Sequence, residues 1–563
     1  MSFDLVIKGG LVVDGTGAAG FHADVGIKNG RIAEIGKLSA GAAQTINADQ
    51  LVVAPGVVDV HTHYDAQLCW DGVLGSSAAH GITTAIQGNC GIGVAPCRPE
   101  HRDVVLKDLV VLEGIAYDIL KAGIDWNFET FPQYLDAMRS RGLGINVAPL
   151  VPLSTLRRYT LGDEATERAA TPLERAELVK NLREAMQAGA LGFSATLVGR
   201  QTGYMGKPLP CQLADSAELA AYGKVLRELG YGAIQVNVVS SVAQPTDDEL
   251  AILDLLLTAS GRTVTYSGAM YRNDDPEAVE RMLCKVEPLR KRGAIPQTPV
   301  TQVMVELDLR TPYIFSDTPA FKKVLNRPVE EQKRIYRDPA WRAQVRAELA
   351  QGGRLFSNSW RTAVVLRVNN EALRPLLQKS IEQIAAERRA DPVDVMFDLA
   401  LEDNLELKYL GDMVNTSPEH LAKHIKDPRV MVGSGDAGAH FDMLFQGGFP
   451  TYMLGHWVRE KQAVTLEHAI RRMTSEPADY FGLADRGRLQ AGKAADIMIF
   501  DPGTVNSAAR ANQVLYDMPG GGMRLNANAT GMQHVIVNGA ELIKHGRHTG
   551  AMSGRFINGG RAQ

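Results

Sequence analysis

Across 563 residues the chain has only five cysteines, five tryptophans and 6 % aromatic residues, and each scarcity excludes a class of protein. An odd, sparse set of thiols (Cys69, Cys90, Cys97, Cys211, Cys284) cannot supply a disulfide framework, so a reducing, cytoplasmic compartment is expected. No apolar run approaches the ~18 to 20 residues that span a bilayer, which argues against a membrane role. The opening, Asp4 followed by Leu5-Val6-Ile7-Lys8, lacks the basic flank and long apolar stretch of an export signal. A dominant charge is missing too. Lys and Arg number 60 against 64 Asp and Glu, a net charge of -4. With neither a basic stripe nor a clustered aromatic platform, nucleic acid is not an expected partner. What remains, 45 % hydrophobic and 22 % charged residues, is ordinary for a globular enzyme and points to a small-molecule substrate.

The length exceeds what one hydrophobic core supports, so a large domain and a smaller one are expected. Residues 3 to 54 alternate short β-branched runs with turns. Asn29-Gly30 suits the two positive-φ positions of a type I′ hairpin, predicting an antiparallel meander. Strand signals return at Ala495 to Pro502 and His534 to Gly539, so residues 1–54 and 486–563 are expected to form one small β-sandwich. Between them, residues 55–485 alternate apolar runs with helical stretches such as Leu173 to Ala188 and Asp215 to Leu229, the pattern of an α/β protein built as a distorted (β/α)8 TIM barrel. Expected barrel strands are 56–61, 83–89, 145–151, 191–197, 233–239, 263–268 and 429–435. An eighth lies in either 294–306 or 354–366. The polar, helical stretch 320–353 reads as an insertion over the barrel mouth, a lid or a homo-oligomer contact.

The sharpest chemical signal is Pro55-Gly56-Val57-Val58-Asp59-Val60-His61-Thr62-His63. An apolar run ending in His-x-His puts both imidazoles on one side of an extended segment, because strand side chains repeat every two residues. Two imidazoles favour zinc, and an open catalytic site needs about three protein ligands. The pair taken alone reads equally as two histidines at a strand end.

The flanking residues settle the reading. Pro55 to His63 resembles the first barrel strand of the amidohydrolase superfamily, and Gly81-Ile82-Thr83-Thr84 with Gly88-Asn89-Cys90-Gly91 resembles its N-acyl-D-amino-acid deacylase (D-aminoacylase) branch, in a long form. The resemblance implies Cys90 as a further metal ligand. It also matches Arg429 to Asp436 with the last barrel strand, whose Asp is catalytic, so Asp436 is expected to bind metal and to act as general base and then acid with metal-activated water. His440, in Asp436-Ala437-Gly438-Ala439-His440, is expected at the substrate, with a structural role as the alternative. The function implied is metal-dependent hydrolysis of an amide C–N bond.

Three departures from the family pattern qualify this. Its fifth and sixth strands carry two further zinc-binding histidines, whereas this chain has Asn237 and Ser267 there, with Tyr266 beside the latter. Neutral amide and hydroxyl groups are poor zinc ligands, so one ion is expected, on His61, His63, Cys90 and Asp436. On the third strand, Pro152-Leu153 replaces a Gly-His pair. The cations that hold the family's substrate carboxylate are replaced by Met443-Leu444-Phe445-Gln446 and Ala269-Met270. Arg200, Tyr204 and Arg272 are candidate substitutes, and Asn237 and Ser267 candidate substrate contacts. The losses open a second reading, an amidohydrolase for a more apolar neutral amide, carbamate, lactam or ester. A third is a barrel that has become a catalytically inactive binding protein.

Overall fold

The computed structural model describes residues 2–558 except 200, 273–274, 316–317, 326, 352–355, 357–359 and 446. The chain begins with β1 (Phe3–Val12), β2 (Phe21–Lys28), β3 (Arg31–Gly36), β4 (Ala42–Asn47) and β5 (Val52–Pro55). Asn29 (φ 51°) and Gly30 (φ 73°) make the tight turn between β2 and β3, both in the left-handed region that a type I′ hairpin demands. The expected antiparallel meander holds for β1 to β3 only, since β4 and β5 run parallel to β1. At ten residues β1 is long enough to pair with both along one edge, β4 near its start and β5 near its end.

Only Gly56 separates β5 from the first barrel strand. A Cβ there would lie 2.1 Å from Thr83 Oγ1, so glycine alone lets the two strands approach. The barrel comprises β6 (Val57–Thr62), β7 (Ile82–Gln87), β8 (Asn146–Pro152), β9 (Gly192–Thr196), β10 (Ala233–Asn237), β11 (Val264–Ser267) and β12 (Ala294–Thr298). After β13 (Val303–Leu307), β14 (Val364–Arg367) and β15 (Lys408–Val414) it is completed by the two-residue β16 (Met431–Val432). All eight barrel strands are parallel, and backbone bonds from His63 to Ala437 (2.7 Å) and from Asp436 to His61 (2.9 Å) close β6 onto the β16 end. Ile86, Ala148, Leu150, Ala233, Ile295 and Met431 form one buried cluster from five barrel strands, a grouping that the barrel interior creates. The two helices expected by periodicity are Pro172–Ala188, started by a Thr171/Glu174 capping box, and Ser216–Leu229, capped by Asp215.

The open choice of strand resolves to 294–298. The other candidate contributes β14 to a separate three-stranded antiparallel sheet, β13-β15-β14. This sheet and four helices (Val329–Tyr336, Pro339–Ala350, Ile381–Arg388, Pro392–Glu402) enclose their own apolar cluster. Phe321, Tyr336, Trp341 and Phe397 pack there with ring centroids about 5 to 6 Å apart. The stretch expected at 320–353 is thus the middle of a larger unit.

The chain returns as β17 (Ile497–Phe500), a hairpin of β18 (Gln513–Met518) and β19 (Gly522–Asn526), then β20 (Met532–Val537), β21 (Ala540–Lys544) and β22 (Arg547–His548). β17 pairs with β5, joining both ends of the chain in one mixed nine-stranded sheet. Beneath it, the buried Asp496 carboxylate accepts from Arg486, from Asn146 Nδ2 (2.8 Å) and from the Asn538 amide (2.7 Å), tying sheet to barrel. Among the described residues no helix is long and apolar enough to cross a membrane.

Candidate functional site

At the C-terminal end of β6, where barrel enzymes place their chemistry, Asp59, His61 and His63 follow one another at the period of two that directs side chains to one face. The Asp59 carboxylate accepts from the His61 amide (3.2 Å) and the Gly435 amide (3.1 Å), joining first and last strands, and burial pushes its pKa up to about 7. A Cβ on Gly435 would stand 2.1 Å from Asp59, so residue 435 admits no side chain.

Each imidazole is oriented from behind. His61 Nδ1 is 2.7 Å from Gln297 Oε1, an atom that only accepts, so Nδ1 carries the proton and Nε2 keeps its lone pair. His63 Nδ1 faces the Glu113 carboxylate, with Oε1 3.4 Å away. Both Nε2 atoms then converge with two more electron-rich atoms. Cys90 Sγ is 3.3 Å from His61 Nε2 and 4.0 Å from His63 Nε2, and Asp436 Oδ1 is 3.8 and 3.1 Å from the same two nitrogens. Lone pairs gathered this closely repel unless a positive charge sits among them.

With no ion among them, the imidazoles themselves carry that positive charge. Burial would lower the His63 pKa, but the Glu113 charge and the hydrogen bond with Asp436 hold it well above the ordinary histidine value. Burial would raise Cys90, yet His61 and His63 bring the thiol down to about 7. Asp436 is held well below the usual carboxylate range, since His63 outweighs its desolvation. The pocket favours anionic ligands beside a cation, and His61, His63 and Cys90 have spacing suited to a metal ion.

Cys90 owes its position to the backbone. Its φ of 60° is left-handed, its amide donates to Gln235 Oε1 (2.6 Å) on β10, and its carbonyl accepts from Thr196 Oγ1 (2.8 Å) on β9. Asp436 (φ 44°) and His440 (φ 52°) are also left-handed, and the His440 amide donates to the Glu113 carbonyl. His440 Nε2 stands 4.0 Å from Asp436 Oδ2.

His61, His63, Cys90, Asp436, His440 and Ser267 line one cavity. Asn237 does not. It donates to Thr196 Oγ1 (3.2 Å) and accepts from Gln235 (3.3 Å), so its amide is engaged with the neighbouring strands. Tyr204 is also off the cavity, its ring lying under the Lys107 ammonium at 4.9 Å. Arg272 is buried in a short bridge with Asp275, and Arg200 lies outside the described residues. Gln297, Glu113 and Gln235 are the positioning groups that sequence reasoning missed. A polar residue late in the Ala294–Thr298 run was a signal for Gln297, while Glu113, at the end of an amphipathic helix, gave none. Met270, Met413, Met443 and Leu444 form an apolar wall, and no Lys or Arg lines the cavity among the described residues.

This architecture is shared with known proteins. The amidohydrolase family model matches residues 44–268 and 349–543, and a urease alpha-subunit N-terminal domain model matches residues 1–60. The chain belongs to the amidohydrolase family and is a hydrolase of amide C–N bonds. Within the family it is 29 % identical to a D-aminoacylase of Alcaligenes xylosoxydans xylosoxydans, over 99 % of this chain and 97 % of that one. It is 28 % identical to an N-acyl-D-glutamate deacylase of the same organism, over 96 % and 93 %. Among solved structures, a D-aminoacylase superposes with a TM-score of 0.66 at 23 % identity, covering 99 % of this chain and 100 % of that one. A zinc-containing N-acyl-D-glutamate deacylase of Bordetella bronchiseptica superposes with 0.65 at 24 %, covering 99 % and 100 %. Both likenesses are in the fold.

Proposed function

We propose that the chain is a mononuclear amide hydrolase in which His61, His63, Cys90 and Asp436 hold one divalent ion, zinc by the softness of the donors. The observation that carries this is the convergence of both Nε2 atoms and Sγ, with Asp436 Oδ1 3.1 Å from His63 Nε2 and His61 turned by Gln297 so that a lone pair faces inward. When bound, such an ion acts as a Lewis acid at the substrate carbonyl and acidifies water. Asp436, ionised at neutral pH, takes a proton from the attacking water and delivers it to the departing nitrogen, so the C–N bond breaks to give a carboxylate and an amine. His440 faces Asp436 across the cavity and is a donor for the substrate. The five unpaired cysteines support a cytoplasmic setting.

The relatives named above act on N-acyl-D-amino acids, and that class is the first substrate reading. A second is favoured by one observation. Met270 and Met443 line the cavity at positions where the family places carboxylate-binding cations, so a neutral amide, carbamate, lactam or ester lacking an α-carboxylate fits the wall better. Elemental analysis of purified protein, followed by parallel assay of N-acyl-D-amino acids and neutral amides and esters, tests both readings. Protein without stoichiometric metal, or inert toward every substrate class, overturns the proposal.

A further inference from the structure

The cavity at the metal ligands is small, about 150 Å³, but it does not end there. Beyond Leu112, Gln201 and Met443, which line both spaces, a second chamber of about 440 Å³ opens. Three parts of the chain build it. Val110, Ile115, Ala116 and Ile119 form one side, Thr311 and Leu325 of the inserted unit another, and the turn of the β18–β19 hairpin with Met523 a third. The hairpin is fixed to the catalytic loop, since the Leu525 amide donates to the Phe441 carbonyl (2.6 Å), and Phe441 itself lines the chamber.

The lining is predominantly apolar but carries four carboxylates: Asp118 at the exposed rim, Asp442, whose pKa burial raises, and two that are held in ion pairs. Glu306 pairs with Arg367, and Asp308 with Lys408. Among the described residues no Lys or Arg lines the chamber, so it offers nothing to a substrate carboxylate. An apolar space of this size, sharing Leu112, Gln201 and Met443 with a reactive cavity too small for more than the scissile group, is the form of a subsite for an extended apolar substituent. Resting on the amide-hydrolase reading above, we infer that the substrate carries a long apolar arm, of the size of a medium-length acyl or alkyl chain, lying in this chamber while its amide sits at Asp436. Remote binding of that kind raises kcat/KM through contacts away from the reacting bond.

The test compares two amide series on metal-replete protein, one lengthening the acyl chain from two to eight carbons on a fixed small amine, the other lengthening the amine. Burying the added methylenes is expected to raise kcat/KM by about tenfold or more in one series, which identifies the buried arm. Ala116→Trp and Thr311→Phe, at exposed positions on the chamber wall, should erase that rise and leave the shortest amide unchanged. Flat profiles in both series, or variants that slow short and long amides equally, overturn the inference. Calorimetry of octanamide and of N-octylacetamide against acetamide on Asp436→Asn protein reads the chamber without turnover. Tighter binding of either long amide supports it and equal binding of all three overturns it, whereas inertness of the wild-type enzyme toward all amides counts against the amide-hydrolase reading instead.

Discussion

The two sides of the barrel mouth are made from different chemistry. Where the chain leaves β6, β7 and β16 stand two imidazoles, a thiol and a carboxylate, each clamped by a backbone or side-chain partner. Where β10 and β11 end stand Asn237 and Ser267, with Met270 beyond and Met443 and Leu444 across the cavity. On the proposed reading the first side holds a cation and moves a proton, while the second offers shape and apolar contact. Reaction and recognition are therefore separable here, and each can be altered while the other is read as a control.

The largest effect is expected on the reactive side. Asp436→Asn should lower kcat by about 10³-fold or more, because removal of a proton-transferring group that also contacts the ion costs at least the 10² to 10⁴ of general acid–base catalysis. Metal content, measured by elemental analysis, should persist, and near-normal turnover would show that the acid/base lies elsewhere. Glu113→Gln comes next. Losing the charge behind His63 Nδ1 should weaken metal affinity about 10- to 100-fold in chelator competition, with the fold intact by circular dichroism.

On the recognition side, Met443→Arg restores a cation to the wall. It should improve kcat/KM for an N-acyl-D-amino acid about tenfold relative to the matching neutral amide, the worth of one charge-assisted hydrogen bond. An unchanged ratio would remove Met443 from substrate selection. The smallest effect separates the scaffold from both sides. Burial lowers the His80 pKa to about 4, with Nε2 donating to the Ala527 carbonyl (3.1 Å). Below the ordinary histidine value of about 6.5 the unfolded chain binds a proton that the folded site refuses, so stability is complete above that pH and falls toward pH 4, by about 3 kcal/mol. In denaturant titrations His80→Gln should flatten this slope by one proton, although the buried His424, also lowered to about 4, keeps a slope of its own.

How much of this was legible differs residue by residue. His61 and His63 were readable because a strand's period of two is local, and the helices of the barrel were readable because their caps and apolar stripes lie within the segments themselves. Cys90 and Asp436 became legible through resemblance, since a cysteine in a Gly-rich turn and an aspartate after a strand have ordinary uses as well. Gln297 was out of reach for a different reason. It lies 236 residues from His61, and its role exists because β12 closes the barrel and the run around β14 does not.

The sequence by itself determined the parallel barrel and the His-x-His anchor, because both are written in short periodicities, and set beside the family it resembles it also showed imidazoles missing from the fifth and sixth strands and cations missing beyond the sixth and last. Only the tertiary structure decided which strand completes the barrel, which groups turn the imidazoles inward, and that an apolar chamber adjoins the reactive cavity. Those properties arise where segments from fifty to some four hundred residues apart meet, at Glu113 behind His63 and at the β18–β19 turn beside the helix Tyr117–Gly123. Contacts of that kind have no local signature for the chain to carry.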